Sequence, residues 1–186
     1  MLSKKIGITL FLLSLVAFVS ATILTLEKLA VLADPNHVLS CSINPFISCG
    51  PIMNSWQASL FVIPNSIIGM VGFGLLCLIA ITGMIARLPK WYWLATFIGV
   101  ALALTFIIWL MSQSLFVIGA LCIYCMIVWA MTIPLFWLTL ANFIQKYNLK
   151  KIKFINTYRV SFIIVSYLTV IVIILIRFKD YWATLF

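Results

Sequence analysis

Apolar residues form long uninterrupted runs along this chain, and the charged residues gather in the segments between them. The run Ile6–Leu26 carries no charge, and neither does the whole stretch from Trp91 to Gln145. A helix needs about 20 apolar residues to cross the hydrocarbon layer of a membrane. The longer stretch therefore predicts two helices joined by a tight turn, which we place at the polar segment Met111–Ser114.

The runs predict an all-α integral membrane protein with a four-helix transmembrane bundle and a fifth, C-terminal transmembrane helix. The predicted spans are residues 6–26, 65–86, 91–111, 118–141 and 160–177, and residues 27–64 form one large loop. Composition agrees, because 66% hydrophobic and 8% charged residues leave too few polar groups to cover a soluble protein. Without a linker or a break in composition, we predict a single domain over residues 1–186.

The basic residues predict an orientation, since cytoplasmic loops are enriched in Lys and Arg. With the N-terminus in the cytoplasm, that side carries Lys4, Lys5, Arg87, Lys90, Lys146, Lys150, Lys151, Lys153 and Arg159. The outer side carries only Lys28, Arg177 and Lys179. The formal charge of +9 is then explained by topology and lipid headgroups rather than by nucleic acid. We expect the first helix to be retained, because its apolar run exceeds that of a signal peptide.

This orientation puts two cysteine pairs at the outer side of the membrane, where disulfides persist. Cys41 and Cys49 bound the loop segment CSINPFISC, and Cys122 and Cys125 form CIYC about two turns into the fourth span. Each pair alone has a plainer explanation. The loop pair could be a static staple, and CIYC could be two packing residues or an inert structural disulfide. Cys77 stands alone in the second span, where we expect it to pack as a small apolar residue.

Together the two pairs indicate an electron relay. Residues i and i+3 are neighbours on a helix, and a CxxC at a helix start has its first thiol near the positive end of the helix dipole. Thiol–disulfide exchange carries two electrons through a mixed disulfide. A flexible outer pair could meet a soluble partner, and the membrane-level pair could meet a lipid-soluble quinone. His37, in the outer loop, could assist as a base, although a solvated loop histidine is more common.

Three segments carry a resemblance to a known family: CSINPFISCGPIMNSWQASLF, the following PNSIIG and the later LCIYCMIVW. Over roughly Thr9–Leu140, the chain resembles bacterial members of the vitamin K epoxide reductase family. The resemblance implies a four-helix bundle around a quinone pocket, often with a fifth helix. Some members carry a fused thioredoxin-like domain. Because this chain ends at Phe186, we expect a separate protein to act as the partner.

The resemblance also implies a role for each cysteine of the two pairs. Cys125 would react with the quinone, and Cys122 would form the active-site disulfide with it. Cys49 would attack Cys122 as the shuttle thiol, and Cys41 would exchange with the partner.

Three further residues are candidates for binding the quinone or supporting the site. The resemblance implies such a role for Ser55 and Asn65, for which a loop turn and a helix cap are the simpler alternatives. Trp129 stands where animal members have a tyrosine, so the resemblance by itself does not imply activity on vitamin K epoxide.

These observations predict an enzyme of the bacterial inner membrane that reduces ubiquinone or menaquinone while reoxidising a periplasmic DsbA-type protein. Two alternatives remain at this stage. A DsbB-type quinone reductase has its cysteine pairs in the opposite order along the chain. A four-cysteine metal site is the other, although the spacing of the loop pair fits poorly and we expect no metal.

Overall fold

The computed structural model describes residues 2–34, 37–42, 47–60, 62–149 and 154–179, the side chain of Asn156 excepted. The elements in chain order are α1 (Lys4–Ala33), α2 (Gly50–Met53), a 3₁₀ helix (Trp56–Ser59), α3 (Asn65–Ile85), α4 (Lys90–Ser112), α5 (Ile123–Lys146) and α6 (Phe154–Arg177). A π-helical segment, Gln113–Ile118, continues α4. Five of these helices are long and apolar enough to cross a membrane, which confirms the predicted all-α class. Lys150, Lys151 and Lys153 of the predicted cytoplasmic group lie outside the described residues.

Helix α5 lies at the centre of the packing. It contacts α1, α4 and α6, and α1 in turn packs along α3. The core between them is apolar and includes Leu10, Phe73, Val100 and Leu135, one from each of α1, α3, α4 and α5. The outward faces of the helices also carry exposed apolar side chains. Lipid solvates such faces, so the fold does not require a polar exterior.

The fifth long helix, α6, forms a hydrogen bond to α5 at a carbonyl that a proline leaves free. Pro134 lies inside α5, and a proline there has no N–H to donate to the carbonyl four residues earlier. The carbonyl left free is that of Ala130, and the Tyr167 hydroxyl of α6 donates to it at 2.5 Å. Arg177, at the end of α6, donates from Nε to the Leu115 carbonyl of the π-helical segment at 2.8 Å. Both contacts satisfy carbonyls that irregular helix geometry has released.

Helix α1 continues to Ala33, seven residues past the predicted end of the first span at Leu26. The charged residues Glu27 and Lys28 limit an apolar run, but both are good helix formers, and the helix continues through them. The connection to α3 is correspondingly shorter than predicted. The two charged side chains therefore project from a rigid helix rather than from a loop.

The turn predicted at Met111–Ser114 is wrong. Helical structure passes through these residues, since α4 runs to Ser112 and the π-helical segment follows it directly. Ser112 Oγ donates to the Trp109 carbonyl at 2.7 Å, and Ser114 Oγ donates to the Ala120 carbonyl at 2.5 Å. Polar side chains that bond to their own backbone do not need water. The chain reverses at Gly119 instead, whose φ of 72° lies in the left-handed region that favours glycine. Helix α5 consequently begins at Ile123 and not at the predicted residue 118.

Candidate active site

The loop pair is a buried disulfide. Cys41 and Cys49 are bonded, with their Cα atoms 5.7 Å apart, and their exposed fractions are 2% and 0%. Leu39 and Ile52 pack around them, together with Leu24 of α1. The sequence suggested a flexible pair open to a partner, and the structure instead covers both sulfurs on all sides.

The helix pair begins α5 rather than lying two turns inside it. Cys122 is the N-cap, with an extended backbone (φ −103°, ψ 124°), and its Sγ accepts the Cys125 backbone N–H at 3.4 Å. Both thiols are free, Cys122 is fully buried, and Cys125 is partly exposed. Hydrogen bonds from the Cys125 thiol, and then from the backbone N–H groups of Cys125 and Tyr124, hold the pKa of Cys122 below its usual value despite burial. The Cys125 thiol, together with these two backbone N–H groups, thus favours a thiolate at Cys122.

A short backbone bridge brings the two pairs together. Ile47 pairs with Leu121 in a parallel β-bridge, and the Ser48 N–H donates to the Leu121 carbonyl at 2.9 Å. Each bridging segment is followed within two residues by a cysteine. As a result, Cys49 Sγ lies 2.9 Å from Cys122 Sγ. Two sulfurs in contact, one in a disulfide and one a free thiol, are the arrangement that thiol–disulfide exchange requires.

A large apolar cavity opens directly beneath the helix pair. Its volume is about 740 Å³, and residues of α1, α3, α4, α5 and the α1–α3 connection line it, Cys125 among them. Leu75 of α3 and Leu102 of α4 line the cavity, and both are also largely exposed. The cavity is therefore accessible between α3 and α4, from the side that lipid would cover. Its size and apolar lining are typical of a site for a small organic molecule.

Residues 8–140 match the Vitamin K epoxide reductase family. This match spans α1 to α5 and includes both cysteine pairs and most of the cavity. The chain belongs to the vitamin K epoxide reductase family. No curated protein matches the sequence. Vitamin K epoxide reductase family members are membrane oxidoreductases with redox-active cysteines, which confirms the class predicted from the two pairs and leaves the DsbB-type alternative without support.

Within this vitamin K epoxide reductase fold, the three supporting candidates all line the cavity. Trp129 is 5% exposed and lies one helical turn after Cys125, on the same face of α5. Asn65 is not a helix cap, because Pro64 occupies that position. Its Nδ2 donates to the Gln57 carbonyl at 2.6 Å, and its Oδ1 accepts the Leu60 N–H at 3.3 Å. Asn65 therefore ties the 3₁₀ segment to the start of α3.

Ser55 makes the loop turn that was its simpler alternative. Its Oγ donates to the Ile52 carbonyl at 2.7 Å, joining the end of α2 to the 3₁₀ helix. Two glutamines that the sequence did not single out also face the cavity, and Gln57 Nε2 donates to Gln113 Oε1 at 3.4 Å. They come from segments distant in sequence and carry no motif, so only the fold could identify them.

A group of polar residues around the loop pair was also missed. Ser40 Oγ donates to Glu27 Oε1 at 2.5 Å and lies 3.1 Å from the Tyr124 hydroxyl. Lys28 Nζ donates to the Met53 carbonyl at 2.7 Å. Of these residues, only Tyr124 could have been singled out from the sequence, because it stands between the two cysteines of CIYC. The contacts of the other residues depend on the extension of α1.

The alternative of a metal site gains no support. Among the described parts of the chain, no group of three or more His, Cys, Asp or Glu residues could hold a metal ion. Cys77 lies apart from both pairs, with its Sγ donating to Ser14 Oγ at 3.3 Å between α3 and α1. This contact agrees with the packing role expected from the sequence.

Proposed function

We propose that this family member passes electrons from a thioredoxin-like, DsbA-type partner to a membrane quinone, ubiquinone or menaquinone. The partner leaves oxidised and able to introduce disulfides into exported proteins. One observation carries the proposal: Cys49 Sγ contacts Cys122 Sγ at the edge of a cavity that Cys125 lines. The loop pair can thus pass electrons to the helix pair, and the helix pair borders an apolar site.

The first exchange oxidises the partner. A partner thiolate attacks Cys41 Sγ, the Cys41–Cys49 bond breaks, and Cys49 leaves as a thiolate. The second partner thiol then attacks its own mixed disulfide and releases Cys41. Two electrons and two protons have moved to the loop pair, and the partner holds a disulfide.

The second exchange passes the electrons inward. The Cys49 thiolate attacks Cys122 of a Cys122–Cys125 disulfide, a Cys49–Cys122 bond forms, and Cys125 leaves. Cys41 then attacks Cys49 and releases Cys122. The product has an oxidised loop pair and a reduced helix pair, which is the same combination of bonds and free thiols described above.

The cavity fits a quinone. It is apolar, large enough for a substituted ring, and accessible from the side of the bundle that faces lipid, and Cys125 borders it. Trp129 contributes an aromatic wall, and the Gln57 and Gln113 amides supply hydrogen-bonding groups. A bound quinone supplies a two-electron, two-proton acceptor that allows Cys122 and Cys125 to return to a disulfide.

We assign the protein to the bacterial inner membrane, with its cysteine pairs facing the periplasm. Supporting this orientation, Lys4, Lys90 and Lys146 lie at the ends of α1, α4 and α5 that are opposite the cysteine pairs, and Arg87 follows α3 at the same end of the bundle, as the positive-inside rule expects for a cytoplasmic end. The periplasm is also where a thiol oxidase finds reduced exported proteins.

An anaerobic assay tests the proposal. The purified protein in detergent micelles is mixed with a reduced DsbA-type protein and a water-soluble quinone analogue, and quinone reduction is followed by absorbance. The wild-type protein should couple partner oxidation to quinone reduction in equal amounts, and Cys125→Ala should abolish both.

The matched control is Cys77→Ala, which removes a thiol outside the cavity and should leave the rate unchanged. Quinone reduction at the normal rate by Cys125→Ala would rule out the proposed path.

A further inference from the structure

The loop disulfide is out of reach of any soluble partner in this arrangement. Cys41 is 2% exposed and Cys49 is fully buried. A thiolate must approach a disulfide sulfur directly, so a buried sulfur reacts slowly whatever its chemistry. The same arrangement is suited to the internal exchange, because Cys49 Sγ contacts Cys122 Sγ. The contacts that hold the loop in this position therefore favour exchange between Cys49 and Cys122. They oppose attack on the loop disulfide by a partner thiol.

The closed loop is held on one side by a chain of three polar side chains. Ser40, the residue before Cys41, has one hydroxyl hydrogen and donates it to Glu27 Oε1 of α1. Its oxygen is then free to accept the Tyr124 hydroxyl of α5 at 3.1 Å. His37 braces the carboxylate, with Nε2 3.3 Å from Glu27 Oε2. The residue beside Cys41 is thus tied to both α1 and the helix pair.

The other side of the disulfide is held from the same helical turn. Lys28, the neighbour of Glu27, donates from Nζ to the Met53 carbonyl at the end of α2. Helix α2 follows Cys49 directly. The adjacent residues Glu27 and Lys28 of α1 therefore form hydrogen bonds to the chain just before and just after the disulfide. Ser40 is exposed, and the Glu27 side chain is 13% exposed. Water can therefore replace the bonds of Ser40 at little cost, which makes this the side that can open.

We propose that Glu27, Ser40 and Tyr124 are positioning residues that hold the loop pair against Cys122, and that their contacts separate before a partner thiol reaches Cys41. The inference rests on the proposed function, since it assumes that both exchanges take place. It predicts that weakening the three-residue chain moves the two exchanges in opposite directions. Attack on Cys41 by an external thiol becomes faster, and attack by Cys49 on Cys122 becomes slower.

Two measurements on the full chain in detergent micelles test this, and neither requires quinone or a partner protein. In a Cys77→Ala, Cys122→Ala, Cys125→Ala background, the loop disulfide is reduced by a small dithiol, and the newly formed thiols are counted by mass tagging. In a Cys41→Ala, Cys77→Ala background with the helix pair oxidised, the rate of Cys49–Cys122 formation is measured after a rapid rise in pH. Both are compared with and without Tyr124→Phe and Ser40→Ala.

Loss of one such hydrogen bond should accelerate reduction of the loop disulfide by roughly two- to tenfold and slow Cys49–Cys122 formation by a similar factor. Tyr124→Phe keeps the ring that packs over the cysteines, and Ser40→Thr should restore both rates. The matched control is Ser42→Ala. Among the described residues its hydroxyl meets only the Ser48 hydroxyl of the same loop, at 3.1 Å, so both rates should stay near wild type.

Unchanged rates in Tyr124→Phe and Ser40→Ala would overturn the inference, and so would a change of both rates in the same direction. A failure of the proposed function is a separate result, because it would appear as absent quinone reduction while the two thiol rates could still respond as stated.

Discussion

The two cysteine pairs are held by different kinds of structure. The helix pair is positioned locally, because Cys122 caps α5 and accepts the Cys125 N–H within a single turn. The loop pair is positioned by distant residues, since the bridge to Leu121 and the contacts of Glu27 and Lys28 come from other parts of the chain. A pair that is fixed locally keeps its geometry when the loop moves. A pair that depends on tertiary contacts can exchange with two different partners in turn.

The largest effect on this comparison should come from Cys49→Ala. It removes the sulfur that contacts Cys122, so electrons from the DsbA-type partner should no longer reach the helix pair. The helix pair should still be reduced by a small membrane-permeable dithiol, because its own geometry is local. Stopped-flow quinone reduction with each donor separates the two cases.

Cys41→Ala is the matched variant for that experiment. Cys49 remains in place and should form a stable bond to Cys122, visible as a cross-link between the loop and α5 by mass spectrometry of peptides. Equal quinone reduction from the partner in Cys49→Ala and wild type would contradict the relay.

Asn65→Ala should have an intermediate effect. The substitution leaves the Gln57 carbonyl and the Leu60 N–H without their partner, at a cost of about 1–3 kcal/mol. Cys49 should then be held less firmly against Cys122, and partner-driven electron transfer should slow by roughly tenfold if about 1.4 kcal/mol of this cost falls on the exchange between Cys49 and Cys122. Reduction of the helix pair by a small dithiol should change much less. Asn54→Ala, an exposed position at the end of α2, provides the control.

For Asn65→Ala, the two donors are compared in the same stopped-flow assay. An equal slowing with both donors would mean that Asn65 supports the helix pair as much as the loop. The helix pair would then also depend on distant residues.

The smallest effect should come from Gly119→Ala, which changes the reversal just before the helix pair. A Cβ at this residue would meet nothing within 4 Å, so the cost is the left-handed φ alone, about 1–2 kcal/mol in the free energy of unfolding. Gly99 also has nothing within 4 Å but lies in regular helix, so Gly99→Ala should stabilise by roughly 0.5–1 kcal/mol. Unfolding in mixed detergent micelles measures both. Equal stability changes of the same sign would show that backbone conformation at residue 119 does not matter.

The cysteine pairs and the number of long helices could be predicted from the sequence because their signals are local. An uncharged apolar run must pair its backbone groups internally within a membrane, so it becomes a helix wherever it lies. CIYC at a helix start has its thiols one turn apart by helix geometry alone. The turn at Met111–Ser114 was misplaced for a related reason. Serines were taken as signs of solvent, although their hydroxyls bond to nearby backbone carbonyls.

The sequence by itself determined that this chain forms membrane-spanning helices and carries two cysteine pairs in the order of its family. Only the tertiary structure decided that the loop pair is buried, that Cys49 meets Cys122, and that Gln57 and Gln113 share a cavity. The physical reason is the distance along the chain between the partners. Contacts such as Ser40 with Tyr124 depend on how α1, the loop and α5 pack together, and no local pattern of residues encodes that arrangement.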